Sequence, residues 1–243
     1  NSGLPNAIKV FQNLRENGYK PLGIRLDSGD LQYLSKECKK VLDKEGFTDI
    51  SITASNDLDE YTIASLKAEG ATINSWGVGT KLITSADSPS LGGVYKLAAS
   101  FKGNEIEPKI KLSENPEKIN NPGYKKVVRI YNKNNKAEAD LVMLHDEVID
   151  ESKPLTIFHP TYTWKAKTFE NYKIKELHKP LFINGECKHE HKSVMEIRNF
   201  VKSELNTLWD EYRRLSNPQT YKVDLSANLW DLKTKMIDSK KFL

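Results

Sequence analysis

The sequence predicts an α/β fold over residues 1–101 and a smaller β-rich and helical region over residues 102–243. Three observations carry that expectation. Helical and strand patterns alternate up to residue 76 with short links, the order of consecutive βα units around a parallel sheet. The links after the three strands read DSGD, SND and GVGT, all polar or glycine-rich. Beyond residue 91 the pattern changes to short strands, a lysine-rich stretch and one long helical repeat. In a βα barrel the C-terminal strand ends converge on one face and build the site. An open doubly wound sheet uses the same ends at its switch point.

Each element has a local reason. Residues 5–17 put Ile8, Phe11 and Leu14 on one helical face, with Pro5 suited to a first turn and Gly18 to the stop. Residues 21–26 (PLGIRL) form a short strand. Leu31, Leu34, Cys38, Val41 and Leu42 recur at helical spacing over 30–45, behind Asp30 as N-cap and before Gly46. Residues 49–54 (DISITA) alternate as a strand, 57–69 form a third helix opened by acids and closed by Gly70, and 72–76 (TINSW) form another strand. Further along, 92–101 reads as a strand and 102–126, with Pro108, Pro116 and Pro122, as an irregular stretch. Residues 127–131, 138–144, 154–158 and 161–164 read as strands of a small β-rich unit. A helix over 192–214 runs up to the Asn217-Pro218 break, and 226–237 forms a last short one.

Composition narrows the function classes. Lysine and arginine number 37 against 33 acids, a net charge of +4, too mild for a nucleic-acid surface but compatible with a local anion site. No apolar run approaches bilayer length and no signal peptide is visible. Two cysteines, Cys38 and Cys187, exclude a disulfide framework and favour a reducing, cytoplasmic compartment, with Cys38 as a buried thiol. The chain opens Asn-Ser-Gly rather than Met, with Pro5 already in a helical turn, so further residues are expected upstream.

The stretch GIRLDSGDL at 23–31 raises the sharpest chemical question. Asp27, Ser28 and Gly29 suffice for a turn and Asp30 for a cap, which leaves Arg25 in the strand unexplained. Side chains two apart on a strand point the same way, so Arg25 and Asp27 reach one rim together. They form either a plain ion pair or a ligand clamp. In a clamp, Arg25 faces an anion or stacks on a flat ring while Asp27 accepts from hydroxyls or a metal-bound water. Ser55, Asn56 and Asp57 open the next helix and read on their own as capping residues. Gly77, Gly79 and Thr80 suit backbone N–H donors wrapped around a phosphate, although Gly-x-Gly is also a common turn. Together the three strand ends supply a cation, hydroxyl binders and a phosphate cradle, which suits a phosphorylated sugar. Cys187, His189 and His191 lack zinc-ligand spacing, and no metal site is expected from them or from His145, His159 and His178.

These motifs are similar to a known family. GIRLDSGDL, ASNDLDE, WGVGT, SLGGVYKL, KIKLSENPEKINNPGYKK, ELHKPLF and NPQTYKVDLS resemble, in order, the C-terminal half of nicotinate phosphoribosyltransferase. The resemblance implies the C-terminal part of a type II phosphoribosyltransferase βα barrel (a TIM-type barrel) with an additional domain. It implies synthesis of nicotinate mononucleotide and pyrophosphate from nicotinate and phosphoribosyl pyrophosphate (PRPP) in NAD salvage. ATP hydrolysis would be coupled through a phosphohistidine, and Mg²⁺ would accompany PRPP. By the same resemblance Arg25 meets the pyridine acid and Asp27 the ribose hydroxyls, with Ser28 and Gly29 in the same loop. Ser55 and Asn56 form the next ribose-side loop, Gly77, Gly79 and Thr80 hold the 5′-phosphate, and Lys96 and Lys118 contact phosphate or pyrophosphate. None of the five histidines sits in the phosphohistidine motif, which lies upstream in the family. The expected partners are the small-molecule substrates and either a second copy of the chain or an N-terminal half. No nucleic acid or membrane is expected as a partner. The competing readings are a non-catalytic fragment or split-enzyme half, and a phosphoribosyltransferase for nicotinamide or quinolinate.

Overall fold

The computed structural model describes residues 2–162 and 164–239 of the 243-residue chain. The chain divides into two compact units, residues 1–93 and 94–243. In the first unit the elements run α1 (Gly3–Glu16), β1 (Gly23–Leu26), α2 (Leu31–Lys44), β2 (Ser51–Ala54), α3 (Glu60–Ala68), β3 (Ser75–Trp76) and α4 (Thr80–Ile83). The strands form a parallel sheet in the order β1-β2-β3. Helices and one sheet face share a core in which Leu42, Phe47, Ile52, Ala54 and Leu58 are essentially sealed from water. Strand alternation sends Ile24, Leu26, Ile52, Ala54 and Trp76 into that core.

The caps explain where the helices start. The Asp30 carboxylate accepts from the Tyr33 N–H at 3.0 Å and opens α2 as expected. The third helix starts later than residue 57, because Asp59 and not Asp57 is its cap, accepting from the Thr62 N–H at 2.7 Å. The two residues before it are used otherwise: Asp57 takes φ 40° and Leu58 drops into the core at 1% exposure. Cys38 is only partly buried against this core, and that burial, with Glu37 beside it, raises its thiol pKa. Both cysteines are free thiols.

The second unit contains β4 (Ala99–Lys102), β5 (Glu105–Pro108), a 3₁₀ turn at Pro116–Lys118, β6 (Lys125–Tyr131), β7 (Ala137–Leu144), β8 (Leu155–Phe158), β9 (Ala166–Phe169), β10 (Lys173–Glu176), β11 (Phe182–Ile183), β12 (Glu186–Cys187), α5 (Val194–Thr207), α6 (Asp210–Arg213), β13 (Val223–Leu225) and α7 (Ala227–Asp238). Six of the strands make one sheet, β10-β6-β7-β13-β8-β9, while β4-β5 and β11-β12 are separate hairpins. Val128, Ile130, Leu141, Met143 and Ile157 form the centre of its core. Beside it Arg129 holds Asp140 with two bonds of 2.7 and 2.9 Å, and the Tyr221 hydroxyl donates to the same carboxylate at 3.1 Å. Burial and the Asp140 charge push the Tyr221 phenol well above its usual range, while the Asp140 bond raises Arg129 further. Among the described residues no helix is long and apolar enough to cross a membrane.

Several elements here differ from the sequence expectation. Of the strand expected over 92–101 only the end is formed, within β4 (Ala99–Lys102). The expected irregular stretch contains β5, joined to β4 through Gly103 at φ 64°. Of residues 161–164, Thr163 lies outside the described residues. The rest form a turn in which the His159 ring nitrogen accepts from the Thr161 and Tyr162 N–H groups. The long helix stops at Thr207, because the Lys136 ammonium takes the Asn206 and Leu208 carbonyls at 2.8 and 3.1 Å. The chain resumes in α6 after an extended Trp209.

Asp140→Ala leaves a mostly buried guanidinium without its partner, and chemical denaturation of the variant should show a loss of about 3 kcal/mol. A loss below about 1 kcal/mol would show that solvent screens the pair.

Candidate active site: three strand ends in one row

Parallel pairing fixes the geometry. Arg25 lies opposite Thr53 and Thr53 opposite Ser75; Leu26 lies opposite Ala54 and Ala54 opposite Trp76. The ladder continues one step past the strands. The Ser55 N–H donates to the Leu26 carbonyl at 3.0 Å, and the Gly77 N–H donates to the Ala54 carbonyl at 2.7 Å. Asp27, Ser55 and Gly77 therefore stand abreast at the C-terminal rim. The face opposite the core carries Arg25, Thr53 and Ser75, a polar row. Parallel sheets are normally apolar on both faces, and this face departs from that pattern.

Arg25 joins the first two ends. Its guanidinium donates from Nη2 to the Asp27 carboxylate at 2.7 Å and from Nη1 to the Ser55 hydroxyl at 2.7 Å. The plain ion pair considered from sequence is thus present, and it reaches into the next loop as well. Its side chains are 60% and 55% exposed, so the pair stabilises the fold by at most about 1 kcal/mol. The arginine therefore adds little to folding, although two partners on adjacent strands fix its direction. Ser28 and Gly29 are exposed in the connecting turn, where Gly29 has φ 79°, a conformation that favours glycine. Asn56 is exposed beside the partly buried Ser55.

The third end depends on Gly77. A Cβ there would stand 2.9 Å from the Ser55 Cβ, so only glycine lets the third loop lie against the second. Gly79 differs: a Cβ would meet nothing within 4 Å, so its backbone faces open space. Gly79 precedes α4, whose first residue, Thr80, is exposed. Arg25, Asp27, Ser55 and Gly77 are therefore brought together, with Gly79 and Thr80 following in the same loop. Lys96 and Lys118 belong to the other unit, where the Lys96 ammonium donates to the Lys118 carbonyl.

Sequence reasoning missed two residues. Lys81, directly after GVGT, donates to Asp59 at 2.5 Å, and Asp59 was read only as one acid among several opening a helix. The bond to Lys81 and the Thr62 N–H hold the Asp59 carboxyl far below the usual carboxylate range, and Asp59 raises Lys81 in return. The signal available was a lysine placed next to a glycine loop. Among the described residues no group of three or more His, Cys, Asp or Glu side chains is arranged to hold a metal ion.

Comparison with known proteins first gives the class. Residues 124–233 match the family described as the nicotinate phosphoribosyltransferase C-terminal domain, and the mixed α/β fold agrees with it. Over nearly its whole length the chain is similar to nicotinate phosphoribosyltransferases. It is 46% identical over 241 residues to the Bacillus subtilis nicotinate phosphoribosyltransferase, covering 99% of this chain and 49% of that protein. Identity to the Caenorhabditis elegans nicotinate phosphoribosyltransferase is 40% over 239 residues, 94% of this chain and 42% of the relative. The crystal structure of human nicotinic acid phosphoribosyltransferase superposes with a TM-score of 0.75 at 28% identity, covering 97% of this chain and 44% of that one. The chain spans about half the length of the curated relatives it matches.

Gly77→Val should destabilise the first unit by about 1–3 kcal/mol, because the new side chain must push the β3 end off the β2 end. Gly79→Ala, with open space for its methyl group, should change stability by less than about 1 kcal/mol. Thermal unfolding of both variants checks the contrast, and equal effects would contradict the close approach at Gly77.

Proposed function

We propose that the chain is part of a nicotinate phosphoribosyltransferase that converts nicotinate and PRPP to nicotinate mononucleotide and pyrophosphate, with ATP hydrolysis coupled. The observation that carries the reading is the row Asp27, Ser55, Gly77 with Arg25 bound across its first two members. The pyridine nitrogen forms a bond to the ribose anomeric carbon as the bond to the pyrophosphate oxygen breaks. Catalysis of such a displacement consists of holding the partners in line and stabilising charge. Arg25 holds the nicotinate carboxylate or stacks on its ring, while Asp27 and Ser55, with Ser28, Gly29 and Asn56 beside them, hold the ribose hydroxyls. The backbone of 77–80, with the Thr80 hydroxyl, receives the 5′-phosphate, and the open space at Gly79 leaves room for it. Lys96 and Lys118 are assigned to phosphate or pyrophosphate. Arg25 can exchange its exposed partner Asp27 for a ligand at little cost.

Mg²⁺ would neutralise pyrophosphate as it leaves. Among the described residues no group of three or more His, Cys, Asp or Glu side chains is arranged to hold it. The ATP-linked phosphohistidine is assigned to no histidine of this chain. Its setting is the cytoplasm, and its fold a segment of a larger βα barrel. The open edge of β1 supports the barrel reading. Along it lies an apolar groove of about 460 Å³ lined by α1 residues, among them Leu4, Ala7 and Phe11. That groove also favours a second reading, in which this chain completes a barrel with a separate N-terminal half or within a homodimer. Pyrophosphate release on mixing the halves, absent from either alone, would support complementation. A panel of nicotinate, nicotinamide and quinolinate separates the substrate alternatives.

In the full-length polypeptide carrying this chain, Arg25→Ala should raise the KM for nicotinate at least about tenfold, with folding stability changed by no more than about 1 kcal/mol. Steady-state kinetics and thermal unfolding check it together. Wild-type kinetics in that variant would reduce Arg25 to a structural ion pair.

A further inference from the structure

The short helix α4 begins at Thr80, directly after Gly79, yet it buries no residue. Leu82 is 71% and Ile83 87% exposed, so burial in its own unit does not fix its position. Backbone bonds tie the preceding segment only as far as Gly77, whose N–H reaches β2. Beyond it the Lys81 ammonium crosses to the Asp59 carboxylate at 2.5 Å. That carboxylate uses its other oxygen to cap α3 through the Thr62 N–H. Asp59 is itself anchored, because Leu58 next to it is 1% exposed in the core. One acid therefore fastens the loop after β3 to the loop after β2.

We propose that Lys81 is a positioning residue, whose clasp on Asp59 sets the 77–80 backbone at the distance from the Ser55 loop that a phosphorylated ribose spans. The inference rests on the phosphate reading of that loop and adds to it a residue outside the glycine motif. A long flexible side chain on an exposed helix of four residues would otherwise have no fixed direction. Here it is held by the carboxylate that starts the neighbouring helix. Val78 packs against the core and holds the start of the loop, so removing the clasp loosens Gly79 and Thr80 beyond it without touching Arg25, and the effect falls on PRPP rather than on nicotinate.

The test uses the full-length polypeptide with Lys81→Met, Lys81→Arg and Asp59→Asn. The Asn side chain still caps α3 through its carbonyl oxygen but loses the charge that holds Lys81. Lys81→Met and Asp59→Asn should each raise the KM for PRPP at least about fivefold, the size of a lost exposed ion pair, while kcat and the KM for nicotinate move less than twofold. Lys81→Arg should recover most of the loss, and the double variant Lys81→Met/Asp59→Asn should be no worse than either single one. A rise with Lys81→Met and none with Asp59→Asn would make Lys81 a direct substrate contact and overturn the positioning role. Unchanged PRPP kinetics in both variants would overturn it too. Failure of the wild-type polypeptide to use PRPP at all would instead overturn the proposed function, which separates the two outcomes.

Discussion

Register between three parallel strands is the constraint on which the first unit depends. A slip of one residue would exchange the two faces of a strand, because successive side chains alternate. Here the register is held by packing on one side: Ile24, Leu26, Ile52 and Ala54 must enter the core. Once they do, Arg25, Thr53 and Ser75 have no choice but to face the other way. The same alternation that hides the aliphatic residues lines up the polar ones. Core packing, which is worth several kcal/mol, thus fixes the direction of side chains that contribute almost nothing to stability themselves.

That division of labour accounts for the residue types at the rim. Arg25 is bonded to Asp27 and to the partly buried Ser55 by short contacts, and the Arg25–Asp27 pair remains open to solvent. A buried pair of the kind formed by Arg129 and Asp140 could not be opened for a ligand without a large penalty. An exposed pair can be. Gly77 belongs to the scaffold, since it permits two backbones to approach, whereas Gly79 leaves a space that the fold does not fill. Two glycines in one motif therefore have different physical roles.

Much of this was readable from residues alone. The alternation of helix and strand, the cap at Asp30 and the shared direction of Arg25 and Asp27 are local properties, and local rules found them. What stayed hidden was set by contacts distant in sequence. The start of α3 depends on Leu58 seeking the core, so the cap moved from the loop's first acid to Asp59. The break at Leu208 depends on Lys136, some seventy positions earlier. The tie between Asp59 and Lys81 joins two motifs that each looked complete. The β4-β5 hairpin was missed for a different reason: Gly103-Asn104 is a turn signal, but the surrounding lysines and prolines read as irregular chain.

The central claim is that one nucleotide lies across three adjoining strand ends. A crystal structure of the full-length polypeptide with nicotinate mononucleotide tests it most directly. The account predicts the pyridine acid against the Arg25 guanidinium, the ribose between Asp27 and Ser55, and the phosphate on the N–H groups of 77–80. A nucleotide bound elsewhere, with Arg25 still closed on Asp27 and Ser55, would contradict it.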